Sequence, residues 1–298
     1  MRVGLIGLGN MGGPMAARLA AAGHQLRLYD ADQGRARAAA ARTGAELADA
    51  ATIAEGSDAV ITILPTSREV FAAVDAMGEA LAPGSVLVEM SSGLPSATQA
   101  LAARLGSRGV AVVDAPVSGG VAKARTGELA IMVGGPDEAV ARVTPLLQAM
   151  GEKILRTGPV GSAHAMKALN NLVSAAGFLA GIEALLIGQR FGLDPAVMVD
   201  VLNASTGMNN STQRKFRQFV LSRKFDSGFG LDLMVKDLGT ALAVAHDART
   251  PAPFSAQCRE LWAAAAALLG PGQDHTAMAE FCEKLAGSTL RSDEGSRS

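Results

Sequence analysis

A group of polar residues sits at helical spacing within an otherwise apolar stretch of the chain. The stretch runs from about Ser162 to Arg190, contains no proline, and carries Lys167, Asn170, Asn171 and Ser174. Spacings of three, four and seven residues place this group on one face of a long helix. An amine can exchange a proton, amines and amides both donate hydrogen bonds, and on a buried helix these groups need partners. The spacing also allows a structural interpretation, in which a lysine in the first turns reaches solvent past the helix end.

A glycine motif near the start of the chain has the spacing of a phosphate-binding loop. It lies between an apolar strand pattern and a helix-forming run, and its residues are Gly7, Leu8, Gly9, Asn10, Met11 and Gly12. Gly7 allows a tight turn, Gly9 lets the backbone approach a pyrophosphate, and Gly12 allows close packing of helix on strand. The helix that follows offers free N–H groups and a positive dipole end to the phosphates. We therefore expect a dinucleotide cofactor here.

An acidic residue follows the second strand pattern, at the place where a dinucleotide's ribose is recognised. The strand Gln25 to Tyr29 ends at Asp30, 18 residues beyond the last glycine of the motif. A carboxylate there accepts hydrogen bonds from a ribose diol and repels a 2′-phosphate, so we expect NAD rather than NADP. Arg35 and Arg37 are the nearby cations that could turn towards a phosphate. Asp30 could also cap the next helix, and that role is compatible with cofactor binding.

Strand patterns alternate with helical runs through the first half of the chain. After the first two strands come Asp58–Pro65, Ser85–Met90, Val110–Asp114, Leu129–Gly135 and Lys153–Leu155. This alternation predicts an α/β fold with a Rossmann-type, doubly wound and mostly parallel sheet. Ligands of such sheets lie beyond the carboxyl ends of the strands, so Leu64, Pro65 and Ser92 are predicted to lie along the dinucleotide.

A short glycine-containing loop follows the strand that ends at Asp114. Ser118, Gly119 and Gly120 supply a hydroxyl and consecutive flexible N–H groups, which could form a small nest for a carboxylate. Lys123 and Arg125 add positive charge beside it. A tight turn that requires glycine explains the same residues equally well.

The pattern changes from alternating to all-helical near residue 162. A hinge-like run, Gly158 to Gly161, precedes the long helix, and no strand pattern follows it. We predict a cofactor-binding domain over residues 1–162 and an all-helical domain over 163–298, opened by the long helix. The basic run Gln213–Arg223 is predicted to be helical, and the polar tail after Gly287 to be disordered.

Composition excludes several classes of partner. Charged residues make up 18% of the 298 residues and the formal net charge is −1, which gives no basic surplus for nucleic acid or an anionic membrane. Cys258 and Cys282 lack metal or redox spacing, and the four histidines form no sequence cluster, so we expect no metal. The apolar run Leu172–Gly188 contains Glu183, which favours a buried helix over a membrane span. The chain starts on a strand pattern, so we expect no targeting peptide and a cytoplasmic protein.

Several stretches together resemble the β-hydroxyacid dehydrogenase family. They are GLIGLGNMGGPMAARL (4–19), DAPVSGGVAKARTGELAIMVGG (114–135), GPVGSAHAMKALNN (158–171) and LMVKDL (233–238). The resemblance covers the chain from residue 3 to about 286. One small departure is Glu128, where the family more often has threonine.

The resemblance implies a role for each matching residue. Lys167 matches the family's catalytic lysine, and Asn171 the amide that holds substrate beside it. Ser118, Gly119 and Gly120 match the carboxylate-binding loop, and Lys123 has a counterpart in some members. Lys236 matches the lysine that lies against the cofactor, with Asp237 next to it in the same signature. Family members are dimers or tetramers built on the helical domain, so we expect a homodimer or homotetramer.

The function implied is hydride transfer between NAD and a small 3-hydroxy acid or its semialdehyde, with Lys167 as general acid and base. A free lysine is protonated near neutrality, so a base role requires a lowered pKa, whereas reduction uses the ammonium form directly. The leading candidate is 3-hydroxyisobutyrate with its product methylmalonate semialdehyde, and the alternatives are tartronate semialdehyde, succinic semialdehyde, a sulfonated aldehyde and a four-carbon sugar acid. A redox-silent dinucleotide-binding module and an imine reductase are the alternatives, and the presence of Lys167 argues against both.

Overall fold

The computed structural model of the protein describes residues 1–291. The chain forms two compact units, one from Met1 to Lys167 and one that begins at Ala168. The division falls inside the long helix, whereas the sequence suggested a boundary just before it.

The first unit is built on a nine-stranded sheet. Its strands are β1 Arg2–Ile6, β2 Gln25–Tyr29, β3 Glu46–Leu47, β4 Ala59–Thr62, β5 Val86–Glu89, β6 Ala111–Asp114, β7 Val117–Ser118, β8 Leu129–Gly134 and β9 Gly151–Gly158. The order is β3-β2-β1-β4-β5-β6-β8-β7, and β9 pairs with β8. All pairings are parallel except those of β8 with β6 and β7. The predicted Rossmann-type, mostly parallel sheet is confirmed.

Helices cover both faces of this sheet. They are α1 Gly12–Ala21, α2 Gln33–Thr43, α3 Ser67–Met77, α4 Pro95–Gly106, α5 Gly120–Thr126 and α6 Asp137–Met150. Helices α1, α2, α5 and α6 contribute to the core on one face, and α3 and α4 to the core on the other. Every residue of β4 and β5 is buried, as expected for parallel strands covered on both sides. The sheet therefore places the ends of β1, β2, β4 and β5 on a rigid frame.

The second unit is helical in the residues that the structure describes, apart from one isolated bridge between Gly230 and Asp274. Its elements are the remainder of α7 Ser162–Phe191, α8 Pro195–Asn203, α9 Asn210–Arg214, a π-helical segment Phe216–Leu221, α10 Leu231–Asp247, α11 Pro253–Leu269, a short turn His275–Ala277 and α12 Met278–Ala286. Its core centres on Phe178, whose ring lies 5.4 Å from that of Phe216 in an edge-on arrangement and 5.8 Å from that of Trp262. The predicted helical domain is confirmed.

Three local predictions were wrong. The basic run Gln213–Arg223 is not one helix, because α9 ends at Arg214 and a wider π-helical turn begins at Phe216. Strand β9 extends over Gly151–Gly158 rather than over three residues. The tail is ordered through Leu290, which is buried and whose N–H donates to the Glu283 carboxylate over 2.9 Å. The rest of the predicted tail, from residue 292, lies outside the described residues.

Helix α7 is long and apolar enough to cross a membrane by length and composition, and 44% of its most apolar window is buried within the protein. A core helix of a soluble protein meets the same criteria, so this feature alone does not indicate a membrane span.

Candidate active site

The glycine motif forms the turn between β1 and α1. Gly7 has φ +98°, a backbone that L side chains rarely adopt, and a Cβ on Gly7 or Gly12 would collide with the carbonyl oxygen of Ile63 or of Gly7 respectively. Gly9 differs, because a Cβ there would meet no atom within 4 Å. Two of the glycines are thus required for packing, and the third faces open space beside the start of α1. This is the arrangement that a diphosphate needs in order to approach the backbone.

Asp30 lies at the end of β2 with its carboxylate turned towards the glycine loop. One oxygen accepts a hydrogen bond from the N–H of Leu8 at 2.7 Å and the other from that of Asp32 at 2.8 Å. The cap of α2 is Asp32, which accepts from Gly34 and Arg35, so Asp30 is not the helix cap. A carboxylate oxygen has two lone pairs, so each retains one for a ribose hydroxyl.

A cavity of about 430 Å³ opens at the glycine loop. Loop residues Leu8, Gly9 and Asn10 line it together with Pro14, Ala17, Val121 and three arginines, Arg35, Arg42 and Arg125. The sequence singled out Arg35 and Arg37 as nearby cations; Arg37 does not line the cavity, and Arg42 was missed. Three guanidinium groups beside open backbone N–H groups suit a diphosphate-bearing ligand, so this region fits the predicted dinucleotide.

A hydrogen bond connects the loop after β4 to the loop after β5. The N–H of Leu64 donates to the hydroxyl of Ser91 over 2.9 Å, and the N–H of Ser91 donates to the Glu89 carboxylate over 2.8 Å. Leu64 and Ser92 are half-buried and Pro65 is exposed. These three predicted cofactor-binding residues lie beyond the carboxyl ends of β4 and β5, on the edge of the sheet where β1 runs into the glycine loop.

The predicted carboxylate loop joins β7 to α5. Ser118 pairs with Ala130 on β8, and Gly119 and Gly120 have φ of +129° and +70°. The side chain of Lys123 packs over Gly119, where a Cβ would lie 2.7 Å from the lysine Cδ. The backbone conformation at both positions therefore requires glycine. Because Gly119 has no Cβ, the Lys123 side chain can lie over the loop. The two sequence interpretations, a tight turn and a ligand-binding loop, are both compatible with this geometry.

The start of α7 is held by a buried carboxylate that the sequence did not single out. Asp114, fully buried at the end of β6, accepts hydrogen bonds from the N–H groups of Gly161 at 2.9 Å, Ala163 at 2.9 Å and His164 at 3.0 Å. A carboxylate at this position satisfies the free N–H groups of the first turn and complements the helix dipole. The helix that carries Lys167 is therefore fixed directly to the sheet.

A second buried contact reinforces the same turn. The Nε2 atom of His164 lies 2.8 Å from a Glu89 carboxylate oxygen and 3.0 Å from the carbonyl oxygen of Ser91, and its Nδ1 lies 2.9 Å from the Thr98 hydroxyl. Burial opposes the charge on both groups, but the ion pair outweighs it, so the pKa of His164 is raised and that of Glu89 is lowered. These shifts favour the imidazolium form of His164 and the carboxylate form of Glu89, one turn before Lys167.

Lys167 is only 8% exposed. The interpretation that this lysine reaches solvent past the helix end is therefore wrong, because the side chain stays within the protein.

In the second unit, Asn171 belongs to a polar cluster with α10. Its amide nitrogen donates to one Asp237 carboxylate oxygen over 2.6 Å, and the other oxygen lies 3.2 Å from the Lys236 ammonium. The Asn171 oxygen accepts from the side chain of Asn170 at 3.2 Å. Asp237 thus orients both Asn171 and Lys236. Because Asn171 and Asp237 are 66 residues apart, their contact could not be recognised from the sequence.

Among residues 1–291, no group of three or more histidine, cysteine, aspartate or glutamate side chains is arranged to hold a metal ion.

Comparison with known proteins agrees with this geometry. Residues 2–158 match the family model described as the NAD binding domain of 6-phosphogluconate dehydrogenase. Residues 161–282 match the model described as NAD-binding of NADP-dependent 3-hydroxyisobutyrate dehydrogenase.

Curated relatives span nearly the whole chain. The 2-(hydroxymethyl)glutarate dehydrogenase of Eubacterium barkeri is 32% identical over 97% of this chain and 97% of its own. The 3-hydroxyisobutyrate dehydrogenase of Pseudomonas aeruginosa is 37% identical over 87% of this chain and 90% of its own.

A solved structure also matches. The 3-hydroxyisobutyrate dehydrogenase of Mycobacterium tuberculosis with L-serine superimposes with a TM-score of 0.88 at 31% identity, over 94% of this chain and 98% of that chain. With the glycine loop, the placement of Asp30 and the helical second unit, these matches show that the chain is an NAD-dependent hydroxyacid oxidoreductase and belongs to the β-hydroxyacid dehydrogenase family.

Proposed function

We propose that this protein interconverts a small 3-hydroxy acid and its semialdehyde, with Lys167 as the general acid and base. The observation that carries the proposal is Lys167 itself, a buried amine on a helix whose first turn is fixed by Asp114 and by the Glu89–His164 pair. NAD, held at the glycine loop and Asp30, would supply the hydride acceptor for oxidation of the alcohol carbon and the hydride donor for the reverse reaction. Lys167 handles the remaining proton: it takes the hydroxyl proton during oxidation and gives it back to the carbonyl oxygen during reduction.

Asn171 is proposed to hold the reacting end of the substrate beside Lys167. The two residues are four apart on α7, so their side chains project from the same face of one helix. One N–H of the Asn171 amide is used by Asp237 and its oxygen is used by Asn170, which leaves the second N–H as a donor to a substrate oxygen. Lys236, fixed by the same carboxylate, is proposed to lie against the cofactor.

The carboxylate of the substrate is proposed to bind at Ser118, Gly119 and Gly120, with Lys123 adding positive charge. Support comes from the left-handed backbone of both glycines and from the lysine that packs over the loop. Preorganised N–H donors of this kind stabilise an anion without reorganisation during the reaction.

The cytoplasm is the proposed location, and the working form is proposed to be a homodimer or homotetramer. Cys258 and Cys282 are buried free thiols, and burial raises the pKa of both, that of Cys282 to about 12, which disfavours the reactive thiolate form. Val173, Ile187 and Phe191 form an exposed apolar stripe along α7, and the Phe191 side chain is 85% exposed. Stripes of this kind usually mark an interface with another chain.

Substrate turnover tests the proposed reaction. Purified protein would be assayed for NADH formation with 3-hydroxyisobutyrate, 2-(hydroxymethyl)glutarate and L-serine, and for NADH consumption with tartronate and succinic semialdehydes. We expect at least one free acid to be turned over and its methyl ester to react at least tenfold more slowly, because the ester cannot supply the anion for the Ser118–Gly120 loop. An enzyme that binds NADH but converts none of these compounds would contradict the proposal.

A further inference from the structure

The loop after β5 packs on the buried pair formed by Glu89 and His164. This loop, Ser91–Leu94, connects β5 to α4, and all of these residues belong to the first unit. A Cβ on Gly93 would lie 2.9 Å from Oε2 of Glu89 and 3.3 Å from Cε1 of His164. The third residue of the loop is therefore in direct contact with both members of the pair.

Hydrogen bonds join both ends of this loop to the imidazole ring. The N–H of Ser91 donates to a Glu89 carboxylate oxygen over 2.8 Å, and Nε2 of His164 lies 3.0 Å from the Ser91 carbonyl oxygen. On the other side of the ring, Nδ1 lies 2.9 Å from the hydroxyl of Thr98, which donates to the carbonyl oxygen of Leu94 over 3.2 Å. The ring thus contacts the first residue of the loop directly and the last through Thr98.

The partners of the two ring nitrogens favour the charged form of His164. Nε2 faces only acceptors, the Glu89 carboxylate and the Ser91 carbonyl, so this nitrogen carries a proton. The Thr98 hydroxyl has one proton, and when the Leu94 carbonyl accepts it, Nδ1 is the donor to the hydroxyl oxygen. An imidazolium supplies both N–H groups in fixed directions, whereas the amide of a glutamine has donors at one end only.

The loop lies where the second half of the dinucleotide is expected. The strands β2, β1, β4 and β5 are consecutive neighbours in the sheet, with Asp30 after β2 and the glycine loop after β1. A dinucleotide with its adenosine ribose at Asp30 and its diphosphate at the glycine loop extends towards β4 and β5. Adjacent strands are about 4.8 Å apart, so the end of β5 lies roughly 10 Å from that of β1. The nicotinamide half therefore reaches the loop that contains Ser92.

We propose that His164 is a positioning residue for the nicotinamide half of NAD: together with Glu89 it holds the Ser91–Leu94 loop in the conformation that binds this half. The adenosine and diphosphate half binds at Asp30 and the glycine loop, and its affinity does not depend on the pair. His164 also belongs to the first turn of α7, so the same contacts fix the loop relative to this turn. Because the role concerns cofactor binding, it is separate from the substrate proposed above and can be tested without turnover.

Two ligands separate this role from a general effect on the fold. NADH carries both halves of the cofactor, whereas ADP carries the adenosine and the diphosphate but lacks the nicotinamide and its ribose. The Kd of each ligand would be measured by calorimetry for every variant, after circular dichroism has shown that the variant is folded. Partial unfolding weakens the apparent affinity for both ligands by the same factor, so the ratio of the two Kd values reports on the loop.

Each variant has a matched control. His164→Gln removes the ring and its charge, and its control is His24→Gln, which precedes β2 at the opposite edge of the sheet. Thr98→Val keeps the size of the side chain but removes the hydroxyl between the ring and Leu94. Its control is Thr144→Val, because the Thr144 hydroxyl also donates to the carbonyl four residues earlier in a helix of the first unit.

We expect His164→Gln to raise the Kd for NADH roughly tenfold, the value of about one hydrogen bond, and that for ADP less than about twofold. Thr98→Val leaves the ion pair in place and releases only the Leu94 end of the loop. It should therefore raise the Kd for NADH by a smaller factor, about threefold, with no change for ADP. Both control variants should bind both ligands as the wild type does.

Two results would overturn this role of His164. One is a His164→Gln protein that binds NADH as tightly as the wild type. The other is an equal loss of affinity for NADH and ADP, which would assign the pair to the fold alone. If His164→Gln does not fold, Thr98→Val decides, and an unchanged ratio of the two Kd values in that variant overturns the role. A protein that shows the expected ratios but converts none of the acids would contradict the proposed reaction and support the role of His164.

Discussion

The Asp30 carboxylate accepts backbone hydrogen bonds within the fold and can still select a ligand. Its two oxygens each accept one backbone N–H, from Leu8 and from Asp32, and these bonds hold the carboxylate against the glycine loop. The hydrogen bonds fix its orientation without using all of its lone pairs. A ribose diol can therefore donate to a carboxylate that is already in place.

This geometry predicts a preference for NAD over NADP. A 2′-phosphate beside Asp30 would add charge repulsion and lose the diol hydrogen bonds, and a second carboxylate, that of Asp32, lies 3.5 Å from the Arg35 guanidinium. We expect kcat/KM for NAD to exceed that for NADP at least tenfold, equivalent to roughly 1.4 kcal/mol. Asp30→Ala should narrow the ratio, whereas Asp75→Ala, at an exposed aspartate of the same unit, should leave it unchanged. A tenfold preference for NADP in the wild type would refute this account of Asp30.

At the scale of elements, helix α7 depends on the sheet for its placement. Asp114 at the end of β6 binds the first turn of the helix, and Glu89 at the end of β5 pairs with His164 in the same turn. Both carboxylates end strands whose positions are set by pairing with their neighbours. The proposed acid–base lysine is therefore placed by strand ends rather than by a loop, which suits a group that must be held accurately.

The Glu89–His164 pair gives the fold a defined pH dependence. The raised pKa of His164 means that its contribution is fully present below about 6.5 and is lost as pH rises through the folded-state value. The lowered pKa of Glu89 means that its contribution is present above about 4.5 and is lost as pH falls through the folded-state value. The pair should therefore stabilise the first unit most between these limits.

Urea unfolding from pH 5 to pH 9 measures this effect. His164→Gln should lower the free energy of unfolding by roughly 3 kcal/mol near pH 6, as expected when a buried pair loses one partner, and should flatten the loss of stability on the alkaline side. His246→Gln is the matched control, because His246 is exposed. An unchanged alkaline slope in His164→Gln would show that His164 is not charged in the folded protein.

The elements differ in how far the sequence could predict them. Strands β4 and β5 are fully buried, so their apolar runs were clear. Strand β9 is largely exposed and reads as a polar stretch with few apolar positions, so only its middle was recognised. The two-residue strands β3 and β7 are too short for any periodic pattern. The break at Lys215 has no proline or glycine to mark it.

At the scale of the whole molecule, features formed by residues close together in sequence could be predicted, and contacts between residues far apart in sequence could not. The glycine loop, Asp30 and the spacing of Lys167 and Asn171 are local patterns, and they could be recognised directly. The carboxylates that support them act across long separations: Asp114 binds Gly161 over 47 residues, and Asp237 binds Asn171 over 66. The arginines at the cofactor cavity come from two helices that are far apart in sequence, Arg35 and Arg42 from α2 and Arg125 from α5. Contacts of this kind depend on the finished fold, so a single sequence does not reveal them.

The exposed apolar stripe of α7 predicts self-association. A monomer would have a mass of 30.3 kDa, and light scattering at micromolar concentration should give about two or four times that value. Ile187→Asp should shift the protein towards the monomer, because a charge would then be buried in the interface. Leu155→Asp, at an exposed apolar position of the first unit, should not. A wild-type protein that stays monomeric at this concentration would disprove the prediction.

The central claim is that Lys167 exchanges the proton at the reacting oxygen, and the most direct measurement compares kcat with NADH affinity in Lys167→Ala. We expect kcat to fall by roughly 10² to 10⁴, while the Kd for NADH, measured by its fluorescence, changes less than about twofold. Lys167→Arg should not restore kcat, because a guanidinium stays protonated, and Lys153→Ala, at an exposed lysine, should behave as the wild type. A folded Lys167→Ala protein that keeps near-full kcat, or a variant that fails to fold, would contradict this assignment.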